Sequence, residues 1–344
     1  MTTSPKTTRA ETTRPQATRP RTLRNTITVA LAATAVVALA GCGTTETPAA
    51  DAATRGSLTV TDSRGEKVEL DGPAKRVVGT EWNVVETLVT LGVQPVGVAD
   101  VKGYTAWDTA APLKGEVKDI GTRGEPSVDT VAALDPDLIV GTTDLSDSAI
   151  DQLSKIAPVI VVRSADASRQ IDQMIDNVNL IAEATGTQSA AKTEIAGFRS
   201  AMADGKKKLA AAGLAGTELA FADGWVTDNQ VSVRPYVTGS LLADINAELG
   251  LTDPWSLTGD KAYGLASTDV EGLTKLGDAR FAYIANSTDG DDPFAGALKD
   301  NAVWKSLPFV KAGHTYRLPD GIWMFGSTAA MEQYIDAVVG ALTD

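Results

Sequence analysis

From Arg76 to Arg163 short runs of Val and Ile alternate with stretches of helical spacing, and no other feature restricts the fold of this chain as strongly. "RVVGT", "DLIVGT" and "PVIVVR" are short and almost wholly apolar, which marks strands buried on both faces. Between them "WNVVETLVTLG", closed by Gly92 as a C-cap, "SVDTVAAL" and "SDSAIDQLSKI" have helical spacing. Parallel strands need crossovers of this kind, so an α/β lobe with a mainly parallel sheet is expected. "VQPVGVAD" adds a strand, and "SLTVTDSRGEKVEL" (Ser57–Leu70) alternates around Arg64-Gly65 as a β-hairpin. From Ala167 to about Ala212 the alternation stops. Nearly everything there is helix-compatible, broken only at "TGTQS", with Ile171, Met174, Ile175, Val178 and Ile181 as one apolar stripe. The theme then returns, with "ELAFADG", "VSVRPY", "ARFAYIAN" and "HTYRLP" as strands, "SLLADINAELG" and "VEGLTKLG" as helices, and "STAAMEQYIDAVVGAL" as a terminal amphipathic helix. The expectation is two α/β lobes, residues 57–166 and 214–344, joined by a helical connector over 167–213.

The N-terminus is organised differently. Residues 1–24 are rich in Thr, Pro and Arg, and the apolar run "ITVALAATAVVALAG" follows. A basic segment, an apolar segment and small residues in that order read as a secretory signal over 1–41. The competing reading is a transmembrane anchor, since no charge occurs between Asn25 and Thr45. Ala and Thr dominate the run, however, and drive it only weakly into lipid. Leu39-Ala40-Gly41-Cys42 resembles a bacterial lipobox, which implies a lipidated Cys42 as the mature N-terminus and an extracytoplasmic protein held at the outer face of the cell membrane. Residues 42–56 then form a flexible tether of small polar residues. Cys42 is the only cysteine, so no disulfide forms and stability must come from the core. Loss of residues 1–41 leaves 25 basic against 43 acidic side chains, a net charge of −18. So acidic a body argues against nucleic acid as a partner.

Several chemistries are excluded by what the chain lacks. It has one histidine, His314, too few for a His-based zinc or manganese site. Neither a P-loop nor a G-x-G-x-x-G follows a strand, and no G-x-S-x-G elbow accompanies His314. The acids of "DGDDPF" (Asp289, Asp291, Asp292) lack the calcium-loop pattern and read as a solvated loop. Aromatic residues are scarce, at 5%, yet they gather in loop-like contexts: Trp82 at a helix start, Tyr104 and Trp107 in "KGYTAWD", Tyr263 in "KAYG", Trp323 and Phe325 in "GIWMFG". Such positions lie where clefts of α/β lobes open, and together they favour an aromatic-lined groove for a bulky, partly apolar ligand. "SVDTVAALDPDLIVGT" and "DVEGLTKLGDARFAYI" also correspond, each placing an acid, Asp129 or Glu271, two residues after a cap and five before a Leu. By itself this needs no more than the macrodipole's preference for acids in a first turn.

"RVVGTEWNVVETLVTLGVQPVGVADVKGYTAW", "IGTRGEPSVDTVAALDPDLIV", "WKSLPFVKAG" and "GIWMFGSTAAMEQYIDAV" resemble the ferric-siderophore and cobalamin class of ABC-transporter substrate-binding proteins, from about Lys75 to the C-terminus. Glu81-Trp82, "TRGEP" and "GIWMFG" are most similar to its ferric-hydroxamate branch. The resemblance implies the class III architecture, two lobes joined by a rigid helix with a shallow cleft between them. It implies that Arg123 contacts the iron-bound oxygens, that Trp82, Tyr263, Trp323 and Phe325 line the pocket, and that Arg234 supplies a second cation. Asp129 and Glu271 fall on the family's permease-docking carboxylates. The branch has a tyrosine after the strand matching "DLIVGT", where this chain has "TTDLSDS", so that contact is missing or comes from Tyr104.

The chemistry fits a monomeric receptor for an iron(III)–siderophore complex, with no catalytic residues and no cofactor of its own. Iron wrapped in siderophore oxygens needs no protein His or Cys. It needs guanidinium donors for those oxygens and apolar walls for the methylenes. A triply anionic catecholate would call for a cluster of cations, so a neutral or cationic hydroxamate is expected. The alternatives are a cobalamin, haem or ferric-catecholate receptor of the same class, an extracytoplasmic hydrolase using His314, or an adhesion lipoprotein.

Overall fold

The N-terminal hairpin pairs β1 (Leu58–Thr61) with β2 (Lys67–Leu70) antiparallel, around a turn in which Gly65 has φ +83. The computed structural model describes residues 56–228 and 230–344. The signal, Cys42 and the tether up to residue 55 lie outside the described residues. The first lobe continues with β3 (Val77–Gly79), α1 (Trp82–Thr90), β4 (Gly97–Val98), α2 (Val101–Trp107), β5 (Lys118–Asp119), α3 (Val128–Ala133), β6 (Leu138–Thr142), α4 (Asp147–Leu153) and β7 (Val159–Val162). Its strands form one parallel sheet in the order β5-β4-β3-β6-β7. Every residue of β3, β6 and β7 is buried, as strands covered by helices on both faces require. Each fully buried Val or Ile contributes roughly 1.5–3 kcal/mol.

The helical block is two helices rather than one rod. α5 (Gln170–Thr185) ends at Gly186, φ +71, and α6 (Gln188–Ala211) follows. α5 packs on α1 and β1 of the first lobe, and α6 packs back against α5. The second lobe comprises β8 (Leu219–Thr227), β9 (Gln230–Pro235), α7 (Leu241–Glu248), β10 (Arg280–Tyr283), α8 (Ala302–Ser306), α9 (Pro308–Lys311), β11 (Thr315–Arg317) and α10 (Thr328–Thr343). α5 and α6 both touch α7, and α6 lies along α10. The second sheet runs β11-β10-β8-β9, parallel except for the β8–β9 hairpin. "VEGLTKLG" forms only a 3-10 turn, Gly272–Leu276, opened by the Asp269 carboxylate accepting from Gly272 N–H.

Each lobe has a private apolar cluster, and a third runs continuously from β1 through α1, α5, α6 and α10 to β8. Wide opening of the lobes would expose this shared core to water.

Candidate functional site

The candidate side chains are presented where the strands of both sheets end, the position at which α/β folds leave a crevice. After β3, Glu81 caps α1: its carboxylate accepts from Trp82 N–H at 3.0 Å. The same oxygen accepts from Arg123 Nη1 at 2.8 Å. Arg123 stands on a tight loop after β5, pinned by an antiparallel bridge between Gly121 and Pro126. Gly121 has φ +100, which a residue with a Cβ rarely adopts. The guanidinium lies 4.1 Å from the Trp82 ring and 5.1 Å from that of Trp323. At these distances cation–π attraction adds about 0.5–1 kcal/mol or more.

The second arginine comes from the β8–β9 hairpin. Asp223 and Arg234 are directly opposite in its register. Arg234 Nε and Nη2 both donate to the Asp223 carboxylate, the former at 2.9 Å. Tyr263 is presented by the loop Asp260–Gly264, where the Asp260 carboxylate accepts from the N–H groups of Ala262, Tyr263 and Leu265. Gly264, φ +65, passes so close to Gly239 that a Cβ would fall 2.2 Å from its carbonyl carbon. The Tyr263 hydroxyl donates across the cleft to Asp144, in the loop after β6. Burial and the Asp144 charge raise its pKa, so it stays protonated.

Trp323 and Phe325 occupy the loop before α10. Trp323 joins the aromatic wall, 4.6 Å from Trp82, 6.0 Å from Trp107 and 5.1 Å from Phe325. The loop belongs to the second lobe but is tied to the first: Thr109 donates through N–H and hydroxyl to Gly321 O at 3.0 and 2.9 Å. Beneath it, fully buried Glu86 of α1 accepts from the N–H groups of Ser327 and Ala330, capping α10 from the other lobe. Asp108, 1% exposed, is buried close enough to Glu86 to feel its charge, and neither of its carboxylate oxygens has a hydrogen-bond partner. Burial pushes both carboxyls up, Glu86 to about 7 against the pull of its backbone donors, and Asp108 to about 10 with the Glu86 charge adding to burial. One proton therefore stays with the pair at neutral pH.

These elements enclose two adjoining chambers that share Arg234 and Trp323. Arg123, Arg234, Tyr263, Trp323 and Phe325, all expected at the ligand, line an inner chamber of about 330 Å3 together with Glu81 and Asp144. Trp107 lines an outer chamber of about 620 Å3. Trp82 is 4% exposed and lies behind Arg123 as its support, its Nε1 donating to Ala99 O at 3.1 Å.

Tyr104 is a correction. "KGYTAW" forms helix α2, capped by Asp100, and that turns Tyr104 inward. It is 1% exposed, its hydroxyl donates to Ala111 O, and it lines neither chamber, so it cannot replace the missing tyrosine. Asp144, in the loop where that tyrosine was expected, instead draws in Tyr263. Asp129, in the first turn of α3, and Glu271, before the 3-10 turn, are exposed on separate lobes. Among the described residues neither carboxylate has an ion-pair partner. His314 precedes β11 at the edge opposite the chambers, its carbonyl accepting from Phe281 N–H at the start of β10. No His/Cys/Asp/Glu cluster suited to a metal ion occurs among the described residues, and none of their helices is long and apolar enough to cross a membrane.

Sequence reading missed the carboxylate partners Asp223 and Asp144 and the buried pair Glu86–Asp108. It also missed Trp225, which lies 5.6 Å from the Arg234 guanidinium and lines the outer chamber. A hairpin register would have exposed the Asp223–Arg234 pair, and an acid on the buried face of α1 was a signal for Glu86.

A family profile described as periplasmic binding protein matches residues 77–321. The iron(3+)-hydroxamate-binding protein FhuD of Escherichia coli (strain K12) is 26% identical over 273 residues, 78% of this chain and 86% of that protein. The Fe(3+)-citrate-binding protein YfmC of Bacillus subtilis (strain 168) is 28% identical over 267 residues, 78% of this chain and 80% of that protein. Among solved structures, the Fe3+–Desferal-bound siderophore-binding protein FhuD of Vibrio cholerae superposes with a TM-score of 0.70 at 23% identity, over 78% of this chain and 98% of that one.

Proposed function

This chain belongs to the periplasmic binding protein family, and on that footing we propose that it is the solute-binding component of an ABC importer, capturing an iron(III)–hydroxamate siderophore outside the cytoplasmic membrane. The observation that carries the hydroxamate reading is charge balance. Two arginines face one aromatic chamber, yet each is committed to a carboxylate, Arg123 to Glu81 and Arg234 to Asp223, and Asp144 adds another acid to the wall. The chamber therefore offers donors without a positive charge. Guanidinium N–H groups not taken by those carboxylates can donate to the neutral oxygens of a ferric trihydroxamate. A triply anionic catecholate or a ferric citrate would meet Glu81 and Asp144 at close range, with like-charge repulsion in a partly desolvated site. The aromatic walls bury ligand methylenes at about 25 cal/mol per Å2.

The iron is cargo held by the siderophore, and the protein performs no chemistry on it. His314 lies away from the chambers, which speaks against the hydrolase reading.

Removing Arg123 tests this function directly. Arg123→Ala takes away charge-assisted donors worth about 1.5–3 kcal/mol and leaves Glu81 unpaired beside the ligand. Titration with ferrichrome, followed by tryptophan fluorescence, should show affinity about 10- to 100-fold weaker than wild type. Unchanged affinity would remove Arg123 from the site.

We further place the monomer on a lipid anchor at Cys42, docking to the permease through Asp129 and Glu271, which lie exposed on separate lobes. Cells carrying Cys42→Ala, or Asp129→Lys with Glu271→Lys, should lose ferric-hydroxamate uptake while the purified proteins still bind. Normal uptake in either strain would reject the corresponding role.

A further inference from the structure

The outer chamber is more acidic than the inner one. Its one basic side chain, Arg234, is already paired with Asp223. Asp289 and Asp291 line it as well, and among the described residues neither has a cation partner. Asp289 Oδ2 accepts from Trp107 Nε1 at 3.0 Å, a contact from α2 of one lobe to the loop after β10 of the other, so this carboxylate is held at the chamber wall. The chamber thus carries two uncompensated negative charges.

Its remaining walls are indoles: Trp107, Trp225 and Trp323. Trp225 is 47% exposed, the most exposed large apolar side chain among the described residues. A bound ligand would cover it. Trp323, the wall common to both chambers, is 7% exposed, and its Nε1 is buried without an acceptor. Aromatic faces together with carboxylates suit an organic ammonium, which gains cation–π attraction and charge-assisted hydrogen bonds at once. A bare metal ion would make no use of the indoles, and no three-ligand cluster is present among the described residues.

We propose that the outer chamber selects ferric hydroxamates bearing a cationic pendant group, a primary ammonium reaching past Trp323 to Asp289 and Asp291. This rests on the reading of the inner chamber as the ferric-hydroxamate site. The ligand is then bound in a fixed sense, with its oxygen-rich chelate toward Arg123 and its cation toward the acidic loop. The loop that looked merely solvated in the sequence becomes the determinant of specificity.

A matched pair of probes separates the two readings: ferrioxamine B, with its free terminal ammonium, and its N-acetylated form, with the same chelate and no charge. Isothermal titration at low ionic strength should give about tenfold tighter binding of ferrioxamine B, narrowing as salt is raised. In Asp289→Asn with Asp291→Asn the ratio should fall to about one. Binding of both probes with equal affinity to the wild type would overturn the charge selection and leave the hydroxamate receptor standing. Binding of neither would overturn both. A preference that survives the double substitution would also reject these two acids as its source.

Discussion

Trp323→Ala is expected to weaken ferric-hydroxamate binding by about 100-fold or more, the largest loss from any single change in the cleft. Trp323 contacts the rings of Trp82, Trp107 and Phe325, lies 5.1 Å from the Arg123 guanidinium and forms the wall between the two chambers. Truncating a buried tryptophan typically costs about 3–5 kcal/mol, and each ~1.4 kcal/mol lost to binding is tenfold in affinity. The loss falls on ligand and protein together, because the same ring packs against the shared core. Titration should therefore be paired with a melting curve: a folded variant that binds within a few-fold of wild type would show that the aromatic wall is not what holds the ligand.

The second large effect concerns stability. Glu86→Ala leaves the N–H groups of Ser327 and Ala330 buried without an acceptor and removes the link by which α1 caps α10. At about 1–3 kcal/mol for each of these unsatisfied donors, the midpoint of thermal unfolding should fall by roughly 4–24 °C, since 1 kcal/mol shifts a large domain by about 2–4 °C. The pair also sets a pH dependence. In the unfolded chain Glu and Asp titrate near 4, whereas in the folded protein Glu86 titrates at about 7 and Asp108 at about 10. Between those values the folded state holds protons that the unfolded state has released. The stabilisation is thus complete below about pH 4 and is lost as pH rises through 7 and toward 10. Melting temperature should decline from pH 5 to pH 9 in the wild type and decline less in Asp108→Asn. Equal slopes in the two proteins would show that the pair does not retain its proton.

The strands of the first lobe were legible because burial on both faces leaves only Val and Gly in β3 and only Val and Ile in β7, and β6 is nearly as plain. Arg123, Trp323 and Phe325 were legible as a resemblance of short blocks, and the structure brings them into one chamber with Arg234. Tyr104 misled because Gly103 and Thr105 look like loop residues, whereas the Asp100 cap commits the segment to a helix whose inner face carries the tyrosine. The carboxylates that balance the charges were illegible for a different reason. Glu81 and Arg123 are 42 residues apart, Asp144 and Tyr263 are 119 apart, and Glu86 and Ser327 are 241 apart. Such pairings exist only once the lobes have packed. Composition favoured a neutral or cationic ligand only through a general shortage of cations. The structure gives the specific cause, which is that each cleft arginine already has a partner.

This cleft offers arginine donors without net positive charge, because Arg123 and Arg234 are each paired with a carboxylate. Isothermal titration of the purified protein against ferrichrome and against a ferric triscatecholate, at one ionic strength, tests it most directly. The expected result is ferrichrome binding at or below about micromolar, roughly −8 kcal/mol, with the catecholate weaker by about two orders of magnitude through repulsion from Glu81 and Asp144. A catecholate that binds as tightly as ferrichrome, or more tightly, would contradict the charge balance on which the assignment rests.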